Sequence, residues 1–230
     1  MLDSAHGAPV LAVSAPMANL PQCLMYHSGQ GIKTIQNIGG HQVAVSLGAA
    51  YWKWLVAYYH IKNVQPVTDT GSLTQFEANN SLVYQCFIND EPYQAKQLHL
   101  KYGVFWLPNL GFDPYYVLFS NATTVQNNPV LVADVVALVK EGWQDYLKNP
   151  SGVEGLIAKD DPVYANKGLY NYNVKTIKSM LMVPDPTQIG CMTAARISTL
   201  KKQLVVAGMI PQSYNSNNAV TFYFQTGCKM

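Results

Sequence analysis

The chain has 230 residues, 49 % hydrophobic and only 12 % charged, which supplies ample core material for one large domain or two lobes and argues against disorder. Fifteen lysines and arginines against thirteen acids leave a formal charge of +2, too little for a nucleic-acid or membrane surface built on basic residues. Arg196 is the one arginine, so a forked clamp for phosphate or carboxylate has a single candidate, and any other anion site must use backbone N–H groups.

In chain order, the uncharged stretch from Asp3 to Lys33 is broken by Gly7, Pro9, Pro16, Pro21, Gly29 and Gly31, which rules it out as a membrane-spanning helix. Met1 onward has no basic start followed by an apolar run, so read literally the chain stays in the cytoplasm. Apolar segments at Pro9–Ala15 and Cys23–Tyr26 predict buried strands. Gly39-Gly40-His41-Gln42 leads into a strand at Val43–Val45, a turn at Ser46-Leu47-Gly48, and a helix with Trp52, Leu55, Val56 and Tyr59 on one face. A second strand-to-helix unit runs from Val83–Ile88 through Asn89-Asp90-Glu91-Pro92 into a helix carrying Ala95 and Leu98. A strand at Val104–Leu107 and an apolar run at Tyr115–Phe119 follow, and the sequence then turns mostly helical. Asn128-Pro129 opens a helix that ends at Asn149-Pro150, Ser151 to Glu154 has capping-box form, Asn173 precedes a further helix, and Asp185-Pro186 starts the last long one.

Alternating strands and helices in the first half predict a parallel or mixed sheet covered on both faces, and such sheets bind ligands at the carboxyl ends of their strands. Two segments fall at such ends. Ser46-Leu47-Gly48 precedes a helix N-terminus suited to an anion or polar group, or serves as a plain cap. Asn89, Asp90 and Glu91 offer an amide and two carboxylates to ligand amines or hydroxyls, or cap the next helix. Among fifteen tyrosines, Tyr26, Tyr51, Tyr115 and Tyr116 stand at strand ends or crossovers, where flat side chains can sandwich a heterocycle. The five histidines carry no metal-binding spacing and read as surface residues. Cys23, Cys86, Cys191 and Cys228 share no CxxC pattern, which disfavours zinc and leaves disulfides open, with buried thiols the plainer expectation. No catalytic residue, metal or cofactor is expected.

Taken together, "GIKTIQNIGGHQVAVSLGAAYWKWLVAYY", "VYQCFINDEPYQAKQ", "GFDPYYVLFSN" and "NNPVLVADVVALVKEGWQDYLKNP" resemble the solute-binding proteins of ABC importers, in the branch that includes thiamine-pyrimidine-precursor, riboflavin and nitrate–sulfonate–taurine binders. The most specific pieces are the step at Ile38–Val45 and an Asn-Glu-Pro-like step at Asn89–Ala95, interrupted here by Asp90. The resemblance implies an α/β fold of periplasmic-binding-protein type II, with lobe one at 1–27 and 115–230 and lobe two at 28–114. It implies a non-enzymatic binder of a pyrimidine-like or sulfonate-like ligand in an interlobe cleft, a permease partner, no nucleic acid, and a periplasmic location. It further implies that the first βαβ segment of lobe one is absent, leaving an unpaired sheet edge that invites a homodimer. Two alternatives accompany this reading. A thiamine-pyrimidine synthase would carry a cysteine-rich "CCCFC" motif near Gly111–Phe119, which this chain lacks. A truncated interaction protein would have lost the cleft.

Overall fold

The computed structural model describes residues 1–229. The elements in chain order are α1 (Leu2–Ala5), β1 (Val10–Met17), β2 (Gln22–His27), β3 (Gln42–Val45), α2 (Ala50–Tyr58), β4 (Gln65–Thr68), α3 (Thr74–Ala78), β5 (Val83–Phe87), α4 (Glu91–Gln97) and β6 (Tyr102–Trp106). The remainder comprises β7 (Tyr116–Asn121), α5 (Ala122–Asn127), α6 (Pro129–Lys148), α7 (Glu154–Asp160), α8 (Lys167–Thr176) and α9 (Ala194–Val206). They form two compact units, Pro21–Phe112 and the combination of Met1–Leu20 with Asp113–Met230.

The Pro21–Phe112 unit is built on a five-stranded mixed sheet in the order β4-β3-β5-β2-β6. β3 runs parallel to β4 and β5, while β2 runs antiparallel to β5 and β6. Strand alternation sends Cys23, Met25, Ala44, Tyr84 and Cys86 to one face, where they pack with Leu73, Phe76 and Ala95 from the α3 and α4 segments. Leu24, Val43, Val45 and Val83 alternate to the other face and are fully buried. β2, which the sequence reading groups with residues 1–27, pairs here with β5 and β6 and falls in the Pro21–Phe112 unit. Cys23 and Cys86 are directly opposite in the β2/β5 register and form a disulfide. Cys191 and Cys228 form a second, so the expected buried thiols are replaced by two bridges. The surface reading of the histidines fails at His27, which is buried, stacks on Phe76 with centroids 3.8 Å apart, and bonds the Phe76 carbonyl at 2.9 Å.

In the other unit β1 and β7 pair antiparallel, with two register shifts along the ribbon. The expected unpaired edge is partly occupied: Ala12 exchanges backbone hydrogen bonds with Ala219 and Thr221, and Ala15 does so with Gly190. Val13 packs against Val132 and Val136 of α6 and against Phe224. Ala15 packs with Met192, Ile197 and Val220. Two predicted helix starts move. α8 begins after Asn166, whose side chain accepts from the N–H groups of Gly168 and Leu169, while Asn173 lies buried inside that helix. Asp185 caps only the short turn Pro186–Gln188, and α9 starts after Thr193, whose hydroxyl accepts from Arg196 N–H.

Candidate functional site

β4, β3 and β5 are parallel neighbours, so the residues after β4 and β3 and those late in β5 converge at one rim of the sheet. Gln85 of β5 is the hub there. Its Oε1 accepts the Ser46 backbone N–H at 3.1 Å and the Tyr51 hydroxyl. Its Nε2 donates to Ser46 Oγ at 3.3 Å and to Asp69 Oδ2 at 3.1 Å. Both donors and both acceptor positions of the amide are thereby used, which fixes the orientation of Gln85 and makes it a positioning residue. Asp69 follows β4 directly, its N–H bonds Val45 O at 3.2 Å, and its Oδ1 accepts the Gly71 N–H at 2.9 Å. The Tyr84 hydroxyl also hydrogen-bonds Asp69. Burial first, then the Asp69 carboxylate, raises the Tyr51 phenol above its usual range, so it stays a donor.

Glu91 stands in the first turn of α4, at the end of β5. Its Oε2 accepts the Phe87 N–H at 2.7 Å. Burial nonetheless pushes its carboxyl up to about 7, with Asp90 and Asp69 adding like-charge repulsion in the same direction. Asp90 occupies the N-cap position of α4, yet its carboxylate accepts from the Gln94 side chain at 2.8 Å and caps no backbone N–H. Ser46 and Gly48 are likewise not the cap of α2, whose N-cap is Ala49; Gly48 supplies the turn with a φ of +88°.

The structure therefore brings Ser46, Tyr51 and Glu91 of the predicted set to this rim, with Gly48, Asn89 and Asp90 in the adjoining turns. It adds Asp69 and Gln85, which sequence reasoning missed; the pointer to Gln85 was a single amide inside an otherwise apolar strand. Tyr26 pairs with Val83 at the far end of β5 from Phe87, stacks on Phe105 at 4.9 Å and covers Gly103. Tyr115 and Tyr116 belong to the other unit. Tyr115 lies under the Arg196 guanidinium at 4.0 Å and accepts from Thr193 N–H at 3.1 Å; Tyr116 is exposed on β7. Arg196 is no anion clamp, since it bonds the Asp113 carboxylate at 2.6 Å, the Asp113 carbonyl at 2.8 Å and the Ala18 carbonyl. Among the described residues, no ion pair involves Asp69, Asp90 or Glu91, and no group of three His, Cys, Asp or Glu is placed to hold a metal ion.

The rim is thus rich in acceptors, none of them in an ion pair among the described residues, an arrangement that favours a ligand bearing N–H or O–H donors. The fold resembles that of solved periplasmic binding proteins. The aliphatic sulphonate binding protein SsuA of Escherichia coli is 17% identical at a TM-score of 0.68, over 96% of this chain and 71% of that one. The alkanesulfonate-binding SsuA of Xanthomonas axonopodis, bound to MOPS, is 14% identical at a TM-score of 0.70, over 96% and 76%. The desulfurization enzyme DSZB is 10% identical at 0.56, over 94% and 78%. At these identities the likeness concerns the fold, which is the mixed α/β fold of periplasmic binding proteins. A comparison with curated proteins found no match. The NMT1/THI5 like family, in contrast, matches residues 1–153, and on that match the chain belongs to the NMT1/THI5-like family.

Proposed function

We propose that this chain is a solute-binding protein whose ligand is a small, donor-bearing heterocycle of the aminopyrimidine kind, held at the strand-end rim by Asp69 and Glu91 and flanked by Tyr51. The observation that carries this reading is the oriented Asp69–Gln85–Ser46 network beside Glu91, which presents carboxylate acceptors with no cation paired to them among the described residues. A sulfonate would meet like charge there, so the acidic rim favours the heterocycle over the anion. Ser46, Gly48, Asn89 and Asp90 shape the rim through its turns. Tyr26 and Tyr115 are assigned to packing, and Tyr116 is exposed on β7.

We read the role as binding rather than turnover, delivering the ligand to an ABC permease, with lobes approximating the two compact units. The two disulfides accord with an oxidising, periplasm-like compartment. β7 pairs with β1 alone among the described strands, so strand addition at its outer edge is the route by which a homodimer would form.

The test is a thermal melt of the full chain with a 4-aminopyrimidine and with an alkanesulfonate. Binding of the aminopyrimidine raises the melting temperature with dose, by about 2.7 kcal/mol of stability at a hundredfold excess over Kd, and Asp69→Asn removes the rise. A dose-dependent rise with the sulfonate alone overturns the ligand assignment.

A further inference from the structure

We propose that a pocket among α6, α7 and α8 is a second binding site, for a small, flat, uncharged aromatic molecule. It lies wholly within the unit formed by Met1–Leu20 and Asp113–Met230, and it goes beyond the strand-end site. The cavity measures about 440 Å³, inside the range of roughly 300–1,000 Å³ typical of ligand pockets. Its walls are Trp143 and Tyr146 of α6, Tyr164 of the turn after α7, and Tyr170 and Asn173 of α8, with aliphatic residues between them. Among the described residues, no Lys, Arg, His, Asp or Glu lines it.

Three features suit it to a flat neutral ligand. Trp143 and Tyr146 form a perpendicular corner, centroids 5.7 Å apart at 87°, which offers a ring face and a ring edge to an incoming aromatic. The phenols are already oriented: Tyr146 bonds Tyr170, and Tyr170 donates to the Pro150 carbonyl. Tyr146 thus points acceptor lone pairs, not a free donor, at its surroundings. Asn173 is buried and contributes an amide to the lining. A charged ligand would have no counter-charge here and would lose its hydration on entry.

Gly142 supplies an independent observation. It sits in the middle of the twenty-residue helix α6, and a Cβ built on it meets nothing within 4 Å. Glycine at such a position costs about 1 kcal/mol relative to alanine, and neither its φ nor a close neighbour requires it. What the glycine does provide is space in the pocket, which it lines from an exposed position on α6.

The experiment is calorimetric titration of the full chain with indole, and with benzenesulfonate as the anionic counterpart, on the native sequence and on Gly142→Leu. The substitution adds a side chain where nothing stands, so the variant is expected to melt no lower than the native protein. Saturable indole binding that weakens at least about tenfold in Gly142→Leu, with benzenesulfonate at least about tenfold weaker than indole, supports the site. The proposal is overturned by an absence of saturable indole binding to the native chain, by indole binding unchanged in Gly142→Leu, or by equal affinity for benzenesulfonate. An aminopyrimidine result at the strand-end site bears on none of these outcomes.

Discussion

Glu91 is the residue whose chemistry most directly ties pH to the fold. Its carboxyl ordinarily titrates at 4.5 and is raised to about 7 by burial and by the neighbouring acids. Between those values the folded chain holds a proton that the unfolded chain has already released. The folded state therefore binds more protons, and stability must fall as pH rises through that window and level off above it. Glu91→Gln keeps the shape, removes the charge and abolishes this contribution. Denaturant unfolding at about pH 4 and about pH 8 should show the native protein losing more stability than the variant over that interval. Parallel curves would mean that Glu91 is not desolvated in the folded chain. The same protonation bears on binding, because a neutral Glu91 can donate to a ligand and an ionised one can only accept.

At the scale of elements, the β2/β6 ribbon depends on a large-against-small pair. Tyr26 and Gly103 are directly opposite, and a Cβ at Gly103 would collide with the Tyr26 ring. Gly103→Ala is expected to destabilise by about 1–3 kcal/mol through overpacking. In a Tyr26→Ala background the same change should cost much less, a coupling that a double-mutant cycle measures and that additive costs would refute. That pairing explains why Tyr26 looked like a ligand platform in the sequence: an aromatic at a strand end has the same signature whether it covers a ligand or a glycine. The apolar strands were legible because burial on both faces leaves continuous hydrophobic runs. β4 was not, because Gln65-Pro66-Val67-Thr68 is a largely exposed edge strand and tolerates a proline there. Missing β4 also hid Asp69, whose meaning comes only from the strand it terminates. The helix starts at Asn173 and Asp185 misled for a related reason: both residues are good caps, but Asn173 is enclosed among helices and Asp185 is followed by Gly190 at a φ of +92°, before α9 can begin.

For the molecule as a whole, each compact unit carries its own disulfide, and their surroundings differ. Cys23 and Cys86 are fully buried in the sheet core, between Met25, Tyr84 and Ala95. Cys191 and Cys228 are only half-buried, and Cys228 borders a surface groove. Thiol–disulfide exchange requires access of the attacking thiolate to sulfur. A mild reductant applied to the native protein should therefore open Cys191–Cys228 first, and alkylation followed by peptide mapping would show label at those two positions. Label at Cys23 and Cys86 should appear only when the Pro21–Phe112 unit unfolds, so its rate should rise with denaturant in step with loss of that unit's structure. Simultaneous labelling of all four cysteines in the absence of denaturant would mean that the sheet core opens as readily as the surface. The order matters for function because the strand-end rim stands on the strand that carries Cys86, next to Gln85. A chain reduced only at Cys191–Cys228 is expected to keep its rim network, and one reduced at Cys23–Cys86 to lose about 2–4 kcal/mol of stability with it.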